Sequence, residues 1–284
     1  MRERRAEDRY PGLARSDAAA AAVVARGAEA HRGDSTDPDS FLDAVAAADG
    51  VIHLPYDHSF TDMAAAAAAD LRTVQAIGER LAGTGKPLVG TGGTLLLAMR
   101  ANGVLGFEHD TLPSGGRVDA ENAVVAMADN GVRSSVVRLA PLVHSDLDHH
   151  GFGPTLIRIA REKGVAAYVG DGANRWPAVN TRDAARLYRL ALESAPGGTR
   201  LHGIEDEGVP FRVIAETVGR RLGVPVASIG TEEAAGHFGF LGPLVQLDNP
   251  TSSEATRKLL GWEPEHPGLI EDLEQEHYFT PQAA

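Results

Sequence analysis

Residues 87–98 read PLVGTGGTLLLA. Pro-Leu-Val-Gly is a short apolar run of the kind that forms a buried strand, and Thr91-Gly92-Gly93-Thr94 marks its end. In open parallel α/β sheets, ligands bind beyond the carboxyl ends of strands, and glycine there lets backbone and ligand approach closely. Two hydroxyls among glycines at such an end predict a site. The plainer alternative is a Gly-rich turn whose threonines bond their own backbone.

Outward from this strand, apolar runs alternate with helical patterns. Ser16 and Asp17 cap the alanine run 18–25, which Gly27 closes. Strands are expected at 28–32, 50–54, 134–139, 165–169 and 200–204, with helices at 38–48, 62–81, 117–129, 154–163 and 181–193. Short turns marked by glycine join them, which argues a parallel sheet with helices on both faces. From Gly208 the character changes: a helix over 209–222, a strand over 224–229, then short helices at 232–237, 252–260 and 269–276. This tail predicts a smaller lobe beside the sheet.

The chain has 284 residues and a formal net charge of −12, with no Lys/Arg-rich run of the kind that grips nucleic acid. It has no cysteine, so disulfides, thiolate metal sites and a cysteine nucleophile are excluded. No apolar run is long enough to span a membrane, and the start has no apolar core of a secretory signal. A cytoplasmic protein acting on a small molecule is the expectation.

The order of motifs resembles the extended short-chain dehydrogenase/reductase superfamily, in its NAD-dependent epimerase/dehydratase-like branch. The residues that carry the likeness are Gly-Leu-Ala-Arg-Ser at 12–16, His-Arg-Gly-Asp at 31–34, Val-Ile-His-Leu at 51–54 and Thr-Gly-Gly-Thr at 91–94. Further on come Val-Val-Arg-Leu-Ala-Pro-Leu-Val-His at 136–144, Val-Gly-Asp-Gly-Ala-Asn-Arg-Trp-Pro at 169–177, Asp183-Ala184-Ala185-Arg186 and Leu-Gly-Trp-Glu-Pro at 260–264. The resemblance implies a Rossmann-like doubly wound parallel sheet with a smaller C-terminal substrate lobe. It assigns 12–150 and 178–204 to the dinucleotide-binding core, 151–177 and 205–284 to the lobe, and leaves the charged residues 1–11 outside both.

Two departures stand out. The family opens with a strand, a glycine-rich turn and a helix, whose N-terminal N–H groups cradle the dinucleotide pyrophosphate. No G-x-G-x-x-G precedes Ala18, so that first strand–helix unit reads as missing, as in a truncated or rearranged product. Met1–Arg9, MRERRAEDR, is too charged to replace a central strand. Unpaired sheet edges then predict low solubility or a homo-oligomer. Gly83-Thr84-Gly85-Lys86-Pro87 is a helix-to-strand turn and not a phosphate loop, since Pro87 stands where a hydroxyl is needed. The second departure is the family's Tyr-x-x-x-Lys, whose positions fall on Pro113 and Arg117. The usual Tyr-based proton relay is therefore unavailable.

The resemblance places the cofactor against Arg15, Ser16, Asp34, His53, Leu54, Thr91, Pro141 and Val143. A basic residue at the tip of the strand before Ser16 favours a 2′-phosphate, hence NADP, with NAD as the alternative. Catalytic candidates are Thr91, Thr94, Arg117 and His144; Arg117, a permanent cation, suits ribose hydroxyls or phosphate. Substrate candidates are His149, Asn174, Arg175 and Trp176, the last as a ring to stack on a flat ligand. Phe238 and Phe240, set among glycines, suggest a lid. The run His144–His150 holds three His and two Asp, but lacks the helical i, i+4 spacing of a metal site, and none is expected.

These readings converge on an NADP-dependent oxidoreductase of atypical short-chain type, reducing a carbonyl of a small or aromatic metabolite. The alternatives are a non-catalytic relative that binds a ligand or partner, and a cofactor-independent lyase or cyclase. No G-x-S-x-G occurs, so a serine hydrolase is disfavoured.

Overall fold

A computed structural model describes residues 10–56 and 61–280. The charged stretch Met1–Arg9 lies outside them. In chain order the elements are β1 (Pro11–Ala14), α1 (Asp17–Ala25), β2 (Glu29–Arg32), α2 (Leu42–Ala47), β3 (Val51–Ile52), α3 (Met63–Leu81), β4 (Pro87–Gly93), α4 (Leu95–Arg100) and α5 (Arg117–Ala126). They continue with β5 (Arg133–Leu139), β6 (Leu142–His144), α6 (Phe152–Lys163), β7 (Ala166–Val169), β8 (Arg175–Asn180), α7 (Thr181–Ser194) and β9 (Thr199–Gly203). The tail adds β10 (Asp206–Pro210), α8 (Phe211–Leu222), β11 (Val226–Ile229), α9 (Ala234–Phe238), α10 (Glu254–Leu260) and α11 (Leu269–Leu273).

The central sheet is parallel, in the order β3-β4-β5-β9. Successive residues of a strand point to opposite faces, and both faces here are apolar. Leu88 and Val136 point to one side, where Val74, Ile77 and Leu81 of α3 and Val124 of α5 cover them. Val89 and Val137 point to the other, against Leu187 of α7, Leu201 and the buried Trp262. This is the doubly wound α/β arrangement that the alternation of runs predicts.

The sheet is not continuous. β1 and β2 form a separate parallel pair. Helix α1, DAAAAAVVA, buries none of its side chains. A third sheet, β10-β8-β6, and the parallel pair β11-β7 surround another apolar cluster that includes Trp176, Phe211, Phe238 and Leu241.

Arg175 and Trp176, offered as substrate contacts, lie within β8, between β6 and β10, and Asn174 just precedes it. Pro177, which has no N–H to give a ladder, sits opposite the register shift between Asp206 and Val209. The strand at 50–54 shrinks to Val51–Ile52. The helix expected from Val209 starts at Phe211, because 206–210 form β10.

Candidate functional site

The carboxyl ends of β1, β2 and β3 open on one cavity of about 380 Å³. Arg15 from the β1–α1 turn, Thr36 after β2, His53 and Tyr56 after β3, and Asp70 of α3 are among its walls. The apolar stripe of α3 recurs at Ala66/Ala67, Thr73/Val74, Ile77/Gly78 and Leu81. Asp70 falls on the same stripe, so the helix carries a carboxylate into the interior. There it takes a hydrogen bond from His53 Nε2 at 2.9 Å, and both side chains are buried. A carboxylate only accepts, so Nε2 carries the proton.

Arg117 approaches from α5. It lies at i, i+4 to Glu121, on the same helix face. Glu121 is pinned to the sheet by Arg138, through contacts of 2.6–3.2 Å, and by Arg200 at 2.7 Å. Burial pushes the Glu121 carboxyl up, but the two guanidiniums outweigh it and hold it below its ordinary value. Buried Arg138 also donates to the Asp110 carbonyl. With α5 fixed in this way, the Arg117 guanidinium lies 4.1 Å from the Tyr56 ring centroid, within cation–π range. Its Nε is 3.9 Å from Asp70 Oδ2, and its Nη2 donates to the Thr91 carbonyl at 3.4 Å.

Thr91 Oγ1 donates to the His53 carbonyl at 2.8 Å and lies 2.7 Å from the Tyr188 hydroxyl. A hydroxyl has one proton, and the carbonyl can only accept it. Tyr188 is therefore the donor to Thr91. Burial pushes the Tyr188 phenol up to about 12, against the Thr91 bond and the Arg117 charge. The wiring leaves the Thr91 hydroxyl, named above as a catalytic candidate, with no proton to give.

Of the sequence candidates, Arg15, His53, Thr91 and Arg117 are brought together. Ser16 caps α1, accepting from Ala19 N–H at 3.1 Å. Asp34 closes its own turn, taking the Thr36 N–H at 2.9 Å and hydroxyl at 2.8 Å; these bonds, Thr36 N–H first, hold it below the ordinary carboxylate value. Its neighbours Ser35 and Thr36 line the cavity. Leu54 is exposed, Pro141 is half-buried just before β6, and Val143 is half-buried within it.

The remaining candidates lie elsewhere in the fold. Thr94 is fully buried and its Oγ1 accepts from Asn249 Nδ2 at 3.0 Å. His144 is buried, with Nδ1 held by Asp272 Oδ2 at 3.0 Å. Trp176 is fully buried, its ring edge-on to Phe211, so no ring face is open for stacking. Asn174 donates to the carbonyls of Val245 and Leu247, and Arg175 is paired with both Asp248 oxygens at 2.9 Å. Phe238 is core, and of the two lid candidates Phe240 alone is exposed; His149 is exposed on the loop before α6.

Sequence reading missed Asp70, Tyr56 and Tyr188. The signal for Asp70 was present: an acid on the inward period of an alanine-rich helix.

No protein-family model matches the chain. It is 44% identical over 270 residues to uncharacterized protein C2A9.02 of Schizosaccharomyces pombe, covering 94% of this chain and 90% of that one. It is 41% identical over 266 residues to uncharacterized protein YLL056C of Saccharomyces cerevisiae, covering 92% and 88%. Among solved structures it is similar to DesIV, a dTDP-glucose 4,6-dehydratase of Streptomyces venezuelae crystallised with NAD (TM-score 0.74, 16% identity, 94% of this chain and 85% of that). It is also similar to the UDP-glucose 4-epimerase of Thermotoga maritima (TM-score 0.72, 15% identity, 94% and 89%). A short-chain dehydrogenase/reductase superfamily protein of Agrobacterium tumefaciens with bound NAD matches at TM-score 0.67, with 17% identity and 91% of each chain. At these identities the shared property is the fold.

Proposed function

We propose, for a chain that belongs to the same family as these two yeast proteins, an NADP-dependent oxidoreductase function of atypical short-chain type. The substrate would be a small or aromatic carbonyl compound, with residues 151–177 and 205–284 as its lobe. The observation that carries this reading is the cavity where three strand ends meet, because open parallel sheets bind ligands there. Similar folds crystallised with NAD support a nicotinamide dinucleotide as the ligand.

The residues present fit one end of a dinucleotide well. Arg15 offers a cation to a phosphate, and Thr36 lies among the hydroxyl-bearing walls. Tyr56, backed by Arg117, offers a ring to a base or nicotinamide. The pyrophosphate is less well served. The β1–α1 turn is Ala14-Arg15-Ser16, with the helix closed by the Ser16 side chain and Asp17 in its first turn. That feature favours the second reading, a non-catalytic relative that binds a ligand in the same cavity. When bound, the dinucleotide supplies hydride. The chain's own part is to hold the ligand with Arg15 and to present the Arg117 cation beside the Thr91 carbonyl.

The test is NADPH oxidation by the purified chain with a panel of aromatic ketones, together with binding of NADPH and NADH to Arg15→Ala. Loss of one charge-assisted contact is expected to weaken NADPH by about tenfold and leave NADH unchanged. Turnover with no ketone, alongside equal binding of both dinucleotides, would favour the non-catalytic reading.

A further inference from the structure

With the usual tyrosine position occupied by Pro113 and Tyr188 committed to Thr91, the proposed reaction lacks a proton carrier. His53 lines the cavity and is 7% exposed. Its Nε2–H is held by Asp70, as shown above, which leaves Nδ1 as the nitrogen open to a ligand. Asp70 is itself steadied by the Arg117 guanidinium on its second oxygen. An imidazole oriented by a carboxylate, in the wall of a ligand-sized cavity, is the arrangement of a general acid or base.

We propose that His53 is the acid–base residue of this cavity, giving or taking a proton at Nδ1, with Asp70 as its positioning residue. This rests on reading the cavity as the ligand site. In the reducing direction the imidazolium gives its Nδ1 proton to an oxygen of the bound substrate. The ring returns to the neutral Nε2–H form that Asp70 holds, and solvent restores the proton. Among the described residues, the charged and titratable groups around the ring include Asp70 of α3, Arg117 of α5, Arg15 of the β1–α1 turn and Tyr56 beyond β3. Tyr188 of α7 is linked to it through Thr91 and the His53 carbonyl.

The test is diethylpyrocarbonate modification of the full chain, mapped by mass spectrometry, with and without NADPH. His53 is expected to react in the free protein, and about tenfold more slowly with NADPH at ten times its Kd. The NADPH affinity of the wild type, relative to His53→Gln, is expected to change with pH. A purely structural histidine would leave that ratio flat, which would overturn the proposal. It is also overturned if His53 stays inert while exposed His149 and His150 react, or if it reacts equally fast with NADPH bound. Should the variant not fold, the modification of the wild type decides. A His53 that reacts in a chain unable to bind NADPH defeats the dinucleotide reading and leaves the assignment of His53 standing.

Discussion

At the scale of single residues, the glycines of the strand end are not equivalent. A Cβ added at Gly92 would lie 2.8 Å from Glu121 Oε2 and 3.2 Å from Arg138 Cγ. That carboxylate cannot swing away without breaking a buried ion pair. At Gly93 nothing lies within 4 Å of the same atom. Gly92→Ser is therefore expected to cost about 1–3 kcal/mol of stability in urea unfolding, and Gly93→Ser no more than about 0.5 kcal/mol. Equal costs would show that the close approach to Glu121 is not felt.

The same network predicts the response to acid. Burial pushes His202 down to about 4, so the folded chain keeps it neutral. Its Nδ1–H goes to the Ser252 carbonyl, and Nε2 faces Arg138 Nη1 at 3.3 Å. The unfolded chain binds a proton at this histidine from about pH 6.5 downward, and the folded chain does not until about 4. Stability is thus full above the unfolded value and falls as pH drops through this window. Glu121, depressed in the folded state, acts in the same direction at the acid end. The urea midpoint should decline from pH 7 to 4, and decline less in His202→Gln. A flat profile would contradict the burial of a neutral His202.

At the scale of elements, the long periodic segments were legible and the short polar-edged ones were not. Helices α3, α5, α6 and α7 and strands β4 and β5 lie where their apolar periods place them. β8 and β10 escaped because prolines, an asparagine and charges interrupt any alternation, and β6 because it is only three residues long; their pairing comes from tertiary context. The site was half legible for a related reason. Arg15, His53, Thr91 and Arg117 stand at strand ends or a helix start, where pattern points. Asp70 and Tyr188 are chemistry placed on helix interiors, where pattern says only core. The β1–α1–β2 unit is the weakly held part, since α1 buries no side chain and β1 pairs with β2 alone. Its amides should exchange with deuterium well before those of β4 and β5, whose Leu88, Val89, Val136 and Val137 are fully buried. Equal protection of both would mean that the unit is covered.

For the whole molecule, the β1-β2 pair and the central sheet share a cavity but, among the described residues, no hydrogen-bonded ladder. Leu13 of β1 and Ile52 of β3 are both 38% exposed, and Leu54 is more open. Such strands offer unpaired edges to a second chain. A concentration-dependent homo-oligomer is the expected state in sedimentation, and a monomer at every concentration would count against it. Among the described residues no helix is long and apolar enough to cross a membrane. The substrate's identity is a matter for the site and not for the fold.

The most direct measurement is a calorimetric titration of the purified, folded chain with NADPH, with NADH as control. A dinucleotide site at the three strand ends predicts saturable NADPH binding with Kd below about 100 μM, tighter than NADH through Arg15. A folded chain that binds neither dinucleotide would contradict the oxidoreductase reading.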